Sequence, residues 1–184
     1  MTTASPASSS TSVGSFAKAR ALAALQFSHA IVVKFASDIP ADKALVLYGK
    51  NAENPDGHAL WQIGHLANTA AWFAGLLDGG NSQFKLPEGY DKLFGMGSKP
   101  TSNAADYPSF DEVRAVLDAQ YSRLLKAGSV LKDEELELPT LGDSGGFCPD
   151  RLSVLERAVF HNGWHVGQLS SCRKAIGLKP AFGS

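Results

Sequence analysis

The sequence has few of the features that mark secreted, membrane or nucleic-acid-binding proteins. Its 184 residues include two cysteines, Cys148 and Cys172, too few for a disulfide framework, which favours a reducing compartment. No unbroken apolar run approaches the roughly 18 residues of a membrane span. The formal net charge of −1 gives no electrostatic reason to expect nucleic acid or an anionic membrane as the main partner. We therefore expect a single-domain cytoplasmic protein.

The N-terminal residues lack the means to fold on their own. Residues 1–15, "MTTASPASSSTSVGS", carry no charged side chain and almost no bulky apolar one. Such a segment buries too little surface to offset its ordering entropy, and it has no apolar core of a secretory signal. We predict a disordered tail over 1–15 and a folded domain over 16–184.

Period-two alternation is also missing, whereas helical periodicity is frequent. Four helical segments are predicted, at about 16–37, 54–77, 109–128 and 150–177. Pro55 suits a first helical position, and Ser109 with Glu112 three residues later has the spacing of a capping box. The fold class is therefore predicted to be all-α, as a four-helix bundle.

The segment between the second and third predicted helices is longer than a simple bundle needs. Antiparallel neighbours are usually joined by roughly 2–8 residues, yet this connector covers residues 80–108. We predict a crossover between two parallel helices, or a lid over one end of the bundle. Its apolar residues are expected to pack on that end: Phe84, Leu86, Tyr90, Leu93 and Phe94.

Two histidines in the last helix, in "HNGWHVGQL", are spaced for a shared cation. His161 and His165 lie one turn apart, about 6 Å between Cα atoms, so both imidazoles can reach one ion. The spacing matches that of zinc proteases, but Asn162 stands where their glutamate base would be. A third histidine, His65 in "WQIGHLA" of the second helix, would complete three protein ligands.

The ordinary alternative is that these histidines are core or boundary residues. His29 and His58 have no comparable partner and are assigned that alternative, with His58 expected near solvent. Cys172 lies too far along the helix from His165 to share an ion and is predicted to be a buried free thiol. Cys148 is predicted to be a peripheral thiol rather than a nucleophile.

Three neighbours of the histidine pair are candidate supporting residues. Gln168 is one turn from His165 and is a candidate to hydrogen-bond a ligand's far nitrogen or a metal-bound water. Asn162 can orient a group but cannot accept a proton at neutral pH. Core packing is the favoured role for each of the three tryptophans, Trp61, Trp72 and Trp164, and Trp164 is the best aromatic candidate for a pocket wall.

Taken together, "WQIGHLA", "LFGMGSKP" followed by "YPSFDEV", and "HNGWHVGQL" resemble the DinB-like superfamily, also called DinB/YfiT-like. The resemblance runs in order over most of residues 16–178. It implies a four-helix bundle with a long crossover between helices two and three, and a divalent metal held by His65, His161 and His165. It also implies homodimers, and in some branches S-transfer that depends on a low-molecular-weight thiol. The Arg/Lys cluster that would recognise such a thiol is not evident in this sequence.

Three hypotheses follow for the function. The first is a metal-dependent enzyme acting on a small molecule, with zinc as the expected ion and nickel or iron(II) as alternatives, and with S-transferase or hydrolase chemistry. The second is a non-catalytic metal- or ligand-binding bundle, for example in stress. The third is a helical interaction module whose histidines are incidental.

Overall fold

The computed structural model describes residues 10–49, 57–80 and 84–182. Its five α-helices are α1 (Ser10–Ala36), α2 (Ala59–Asp78), α3 (Tyr90–Phe94), α4 (Phe110–Ser129) and α5 (Arg151–Ala175). Within these ranges no β-strand forms, and one isolated bridge joins Tyr48 to Gly57. The prediction of an all-α fold is confirmed. None of the described helices is both long enough and apolar enough to cross a membrane.

Helix starts follow the capping signals, with two exceptions. The Ser109–Glu112 capping box is present at the start of α4. At α5, the Asp150 side chain accepts a hydrogen bond from the backbone N–H of Ser153. α1 begins at Ser10, earlier than predicted, so residues 10–15 of the predicted tail are helical, while residues 1–9 lie outside the described part of the chain.

The predicted start of α2 near Asn54 is wrong. The helix begins at Ala59, and the imidazole of His58 is its N-cap, accepting a hydrogen bond from the backbone N–H of Trp61. His58 is fully buried, which also corrects its expected place near solvent. Histidine is outside the usual set of N-cap residues, so no sequence signal marked this position.

One apolar core lies between the four long helices. α2 packs against α4, α5 and α3, and α1 packs against α5 and α4. α2 contributes the largest share of the buried side chains of this core: Leu60, Ile63, Leu66, Phe73, Leu76 and Leu77. Because α2 is apolar on most of its circumference, it is the central helix of the core.

Contacts near the helix ends fix which ends lie together. The guanidinium of Arg123, late in α4, pairs with Asp78 at the end of α2 at 2.9 Å. His58, before α2, donates from Nε2 to the backbone carbonyl of Thr101, shortly before α4, at 3.0 Å. The two helices thus have neighbouring starts and neighbouring ends.

The connector between α2 and α4 packs partly on the core, as expected. Tyr90 and Phe94 of α3 are buried, whereas Phe84 is 57% exposed. The Phe94 ring lies against Gly64 of α2, where an added Cβ would come within 2.3 Å of the ring. Burial of a phenylalanine side chain of this kind contributes roughly 1.5–3 kcal/mol, and the missing side chain at Gly64 permits it.

Candidate metal centre

Three histidines from two helices converge at one place. His65 lies on α2, and His161 and His165 lie one turn apart on α5. One ligand atom from each lies within 4.8 Å of the other two, and the ring centroids are 4.5–5.3 Å apart. Among the described residues this is the one group of potential metal ligands of this kind. Three imidazole nitrogens form one of the known ligand sets of zinc.

A backbone carbonyl fixes the tautomer of His65. Its Nδ1 lies 2.7 Å from the carbonyl oxygen of Phe94. A carbonyl can only accept, so Nδ1 carries the proton and Nε2 keeps its lone pair. This outer hydrogen bond is the arrangement that orients metal-binding histidines. The close approach of Phe94 to Gly64 therefore also positions the His65 ring.

Gln62 performs the same task for His165. The Nδ1 atom of His165 lies 2.6 Å from the Gln62 Oε1 atom. The amide nitrogen of Gln62 donates to the Tyr48 hydroxyl at 3.3 Å, an arrangement that points the carbonyl oxygen at the imidazole. Nδ1–H of His165 is thus the donor, and Nε2 is left for a ligand. Gln62 itself is fully buried, and no feature of the sequence had marked it as a site residue.

Burial keeps the three imidazoles neutral. Desolvation lowers the pKa of His165 to about 2 and that of His161 to about 4, and repulsion among the clustered imidazoles acts in the same direction. Burial also lowers the pKa of His65, against an opposing effect of its bond to Phe94. Neutral imidazole is the form that binds a metal, so the site is ready for a cation at neutral pH.

A cavity of about 470 Å³ opens beside two of the histidines, His65 and His161. Aromatic side chains from α2 and from the loop before α5 form much of its wall: Trp72, Phe73 and Phe147. Asn68, Thr69, Asp91, Met96 and Ser144 complete its lining. Trp61 stacks on the His65 ring with centroids 4.9 Å apart. The cavity has the size of a small-molecule site.

Two of the three candidate supporting residues, Asn162 and Trp164, do not have the roles expected of them. Asn162 donates to the Ser28 hydroxyl at 2.8 Å and accepts from the Tyr121 hydroxyl, so its amide joins α5 to α1 and α4. The Oε1 atom of Gln168 is buried with no hydrogen-bond partner of normal geometry in the described residues, yet the Gln168 side chain is close enough to His165 to raise the pKa of that imidazole against the larger effect of burial. Its predicted role stays a prediction. Trp164 is 62% exposed and does not line the cavity.

The remaining histidine and cysteine predictions have mixed outcomes. His29 lies away from the cluster, 3.3 Å from Asp118 and stacked on Tyr121. Cys172 is a buried free thiol, as predicted. Cys148 is buried rather than peripheral.

The model of the DinB superfamily matches residues 24–169, a range that includes all three clustered histidines. The chain therefore belongs to the DinB superfamily. Among curated proteins, no sequence matches it.

Proposed function

We propose that this member of the DinB superfamily is a metal-dependent enzyme in which His65, His161 and His165 hold a divalent cation. The observation that carries the proposal is the convergence of three neutral imidazoles beside a cavity of small-molecule size. Two of the three have their outer nitrogen occupied by a hydrogen-bond acceptor. Such outer hydrogen bonds are typical of metal-binding histidines.

Zinc is the ion we propose, with nickel and iron(II) as alternatives, since all three suit imidazole ligands. When bound, such a cation supplies Lewis acidity that lowers the pKa of a thiol or water molecule. Phe94 and Gln62 hold two of the imidazoles in the ligand-ready tautomer. Trp72, Phe73 and Phe147 surround a substrate with apolar walls that exclude water.

The nucleophile is proposed to come from outside the chain. Burial raises the pKa of the Cys148 thiol to about 11 and that of the Cys172 thiol to about 12. Both are therefore protonated at neutral pH and poor nucleophiles. This supports chemistry that uses an external low-molecular-weight thiol, as in S-transfer, or water, as in hydrolysis. Buried free thiols also agree with a reducing, cytoplasmic site of action.

The architecture proposed with this function is a four-helix bundle with a crossover between α2 and α4. The Asp78–Arg123 and His58–Thr101 contacts support it, because helices with neighbouring starts and neighbouring ends run parallel. Parallel helices require a connection along the whole bundle, which the long connector supplies.

A homodimer is proposed through the face formed by α1 and α5. An apolar groove of about 270 Å³ there includes Ala24, Phe27 and Gly163. Phe27, Phe160 and Trp164 are each more than half exposed, and such apolar surface is typical of interfaces. Light scattering should show a dimer that Phe27→Ser weakens; Val130→Ser, at an exposed position on α4's end, is the control. A monomer at all concentrations would contradict this.

The enzyme hypothesis is tested by turnover. Zinc-loaded protein should accelerate reaction of small thiols with electrophiles, or hydrolysis of small esters, and His161→Ala should abolish the acceleration while His29→Ala retains it. Tight metal binding with no turnover across both panels would favour a non-catalytic binding protein instead. If the protein shows neither metal binding nor turnover, the remaining hypothesis is a helical interaction module.

A further inference from the structure

Two polar side chains at one end of the cavity beside the histidines, Asn68 and Asp91, present hydrogen-bond acceptors. Asn68 donates from Nδ2 to the carboxylate of Asp91 at 3.2 Å, and this bond fixes the orientation of the amide. Its Oδ1 atom is then buried and without a donor in the described residues. The negative end of the amide dipole is therefore not neutralised and adds to the potential of the carboxylate.

No positive side chain offsets Asp91 in the described structure. Neither lysine nor arginine lines the cavity there, and Asp91 forms no ion pair. The Ser144 hydroxyl donates to the backbone carbonyl of Cys148 at 2.9 Å and accepts from its N–H at 3.1 Å, so it has little capacity left for a ligand. The polar atoms still available to a ligand at this end of the cavity are hydrogen-bond acceptors.

The walls suit a positive group on an apolar body. The side chains of Trp72, Phe73 and Phe147 border the same space, and the ring pairs lie 4.9–6.3 Å apart. Aromatic faces attract a cation held above them, most strongly at tryptophan. Apolar surface also supplies the larger part of the binding energy for a small ligand.

We propose that the substrate carries a protonated amine on an aromatic or other apolar body, and that Asp91, held by Asn68, binds the amine. This inference rests on the proposed function, because it places the substrate in the cavity beside the metal ligands. Asn68 is one helical turn from His65, about 4.5 Å along the axis. The ammonium therefore lies at the Asp91 end while the reacting part of the molecule faces the histidines. A substrate with an anionic group at the Asp91 end should bind less tightly.

The test compares three probes of equal shape: phenethylamine, 2-phenylethanol and 3-phenylpropionate. Their dissociation constants are measured by ligand-observed NMR on the full chain, first without metal, so that a carboxylate cannot gain affinity by binding zinc. Phenethylamine should bind about 10-fold more tightly than 3-phenylpropionate, equivalent to about 1.4 kcal/mol. The preference should shrink in 0.5 M salt, because Asp91 is exposed and its charge is screened.

Variants show whether Asp91 is the cause. Asp91→Asn should reduce the ratio of the two dissociation constants from about 10-fold to less than about twofold. Glu88→Gln, which removes a nearby carboxylate outside the cavity lining, should leave it in place. Asn68→Ala gives a second reading that leaves the charge of Asp91 intact, and it should weaken amine binding several-fold without affecting 2-phenylethanol. Thermal melts confirm that each variant is folded.

The outcomes separate this inference from the proposed function. Equal binding of amine and carboxylate, or a preference that survives Asp91→Asn, overturns the inference even if zinc binds at the histidines. An amine preference that depends on Asp91 supports the inference. If the same protein binds no metal, the proposed function is contradicted while the inference about the amine is still supported.

Discussion

The five histidines divide into two environments. His58 is fully buried, and both its nitrogens have partners, the backbone N–H of Trp61 and the carbonyl of Thr101. His65 and His165 are also largely buried, and the Nδ1 atom of each has a close acceptor, at 2.7 Å and 2.6 Å. The Nε2 atom of His65 has only a long contact, 3.5 Å from the Thr69 hydroxyl, and one ligand atom from each of His65, His161 and His165 lies within 4.8 Å of the other two.

A free nitrogen is not sufficient to make a ligand. His29 has an Nδ1 atom without a partner in the described structure, yet its other neighbours are Asp118 and the Tyr121 ring. What distinguishes the cluster is a free nitrogen on each of several imidazoles together with an outer hydrogen bond that selects the tautomer. Substitutions inside the cluster and outside it test this difference.

Loss of a clustered histidine should have the largest effect. His161→Ala leaves two ligands, so zinc affinity should fall by more than the 10–100-fold that outer-residue mutations typically cost. Competition with a chromophoric chelator measures it. His29→Ala is the matched control and should leave the affinity within a factor of two or so. Equal loss in both variants would mean that the clustered histidines have no special role.

Removal of the Gln62 amide, which accepts a hydrogen bond from His165, should have the next largest effect on zinc affinity. Gln62→Leu keeps all three ligands but frees the Nδ1–H of His165, so zinc affinity should fall about 10–100-fold. Gln168→Leu is the comparison, since Gln168 is the outer residue that the sequence suggested. A larger loss at Gln168 than at Gln62, in the same chelator assay, would reverse our assignment.

The contact between α2 and α3 should have a smaller effect. Gly64→Ala introduces a Cβ that overlaps the Phe94 ring, with a cost of about 1–3 kcal/mol in unfolding free energy. It also shifts the carbonyl that holds His65, so zinc affinity should fall several-fold. Gly75→Ala, in the same helix with open space around it, should instead stabilise by up to about 1 kcal/mol. Urea unfolding measures both, and equal effects would contradict the account of Gly64.

The last prediction concerns the pH dependence of stability at His58. Burial lowers the pKa of His58 to about 4, below the roughly 6.5 of the unfolded chain. Its contribution is therefore present above pH 6.5 and is lost as pH falls from 6.5 to 4. His58→Asn keeps an N-cap residue and should reduce the slope of stability with pH, in chelator-treated protein, by at most about 1.4 kcal/mol per pH unit. An unchanged slope would show that folding does not lower the pKa of His58.

Local signals in the sequence were sufficient for much of the fold. The capping box at Ser109 and the absence of alternating strands predicted helices that the structure contains. Each of these signals acts within a few residues. The start of α2 was missed because its N-cap is His58, whose buried position depends on a distant carbonyl at Thr101.

The histidine cluster was predictable because spacing and resemblance both marked its members. Its supporting residues were not, since Gln62 reaches His165 across 103 positions of the chain and Phe94 reaches His65 through a backbone atom. A backbone acceptor leaves no trace in residue type. The one local sign was Gly64, next to His65, whose small size indicates a close approach by another segment.

Elemental analysis of untagged protein tests the central claim most directly. Wild-type protein should contain about one divalent metal per chain after purification or after incubation with zinc, nickel or iron(II). A variant with His65, His161 and His165 all replaced by alanine should contain none. Wild-type protein that stays metal-free under all of these conditions would contradict the account, and so would equal metal content in the triple variant.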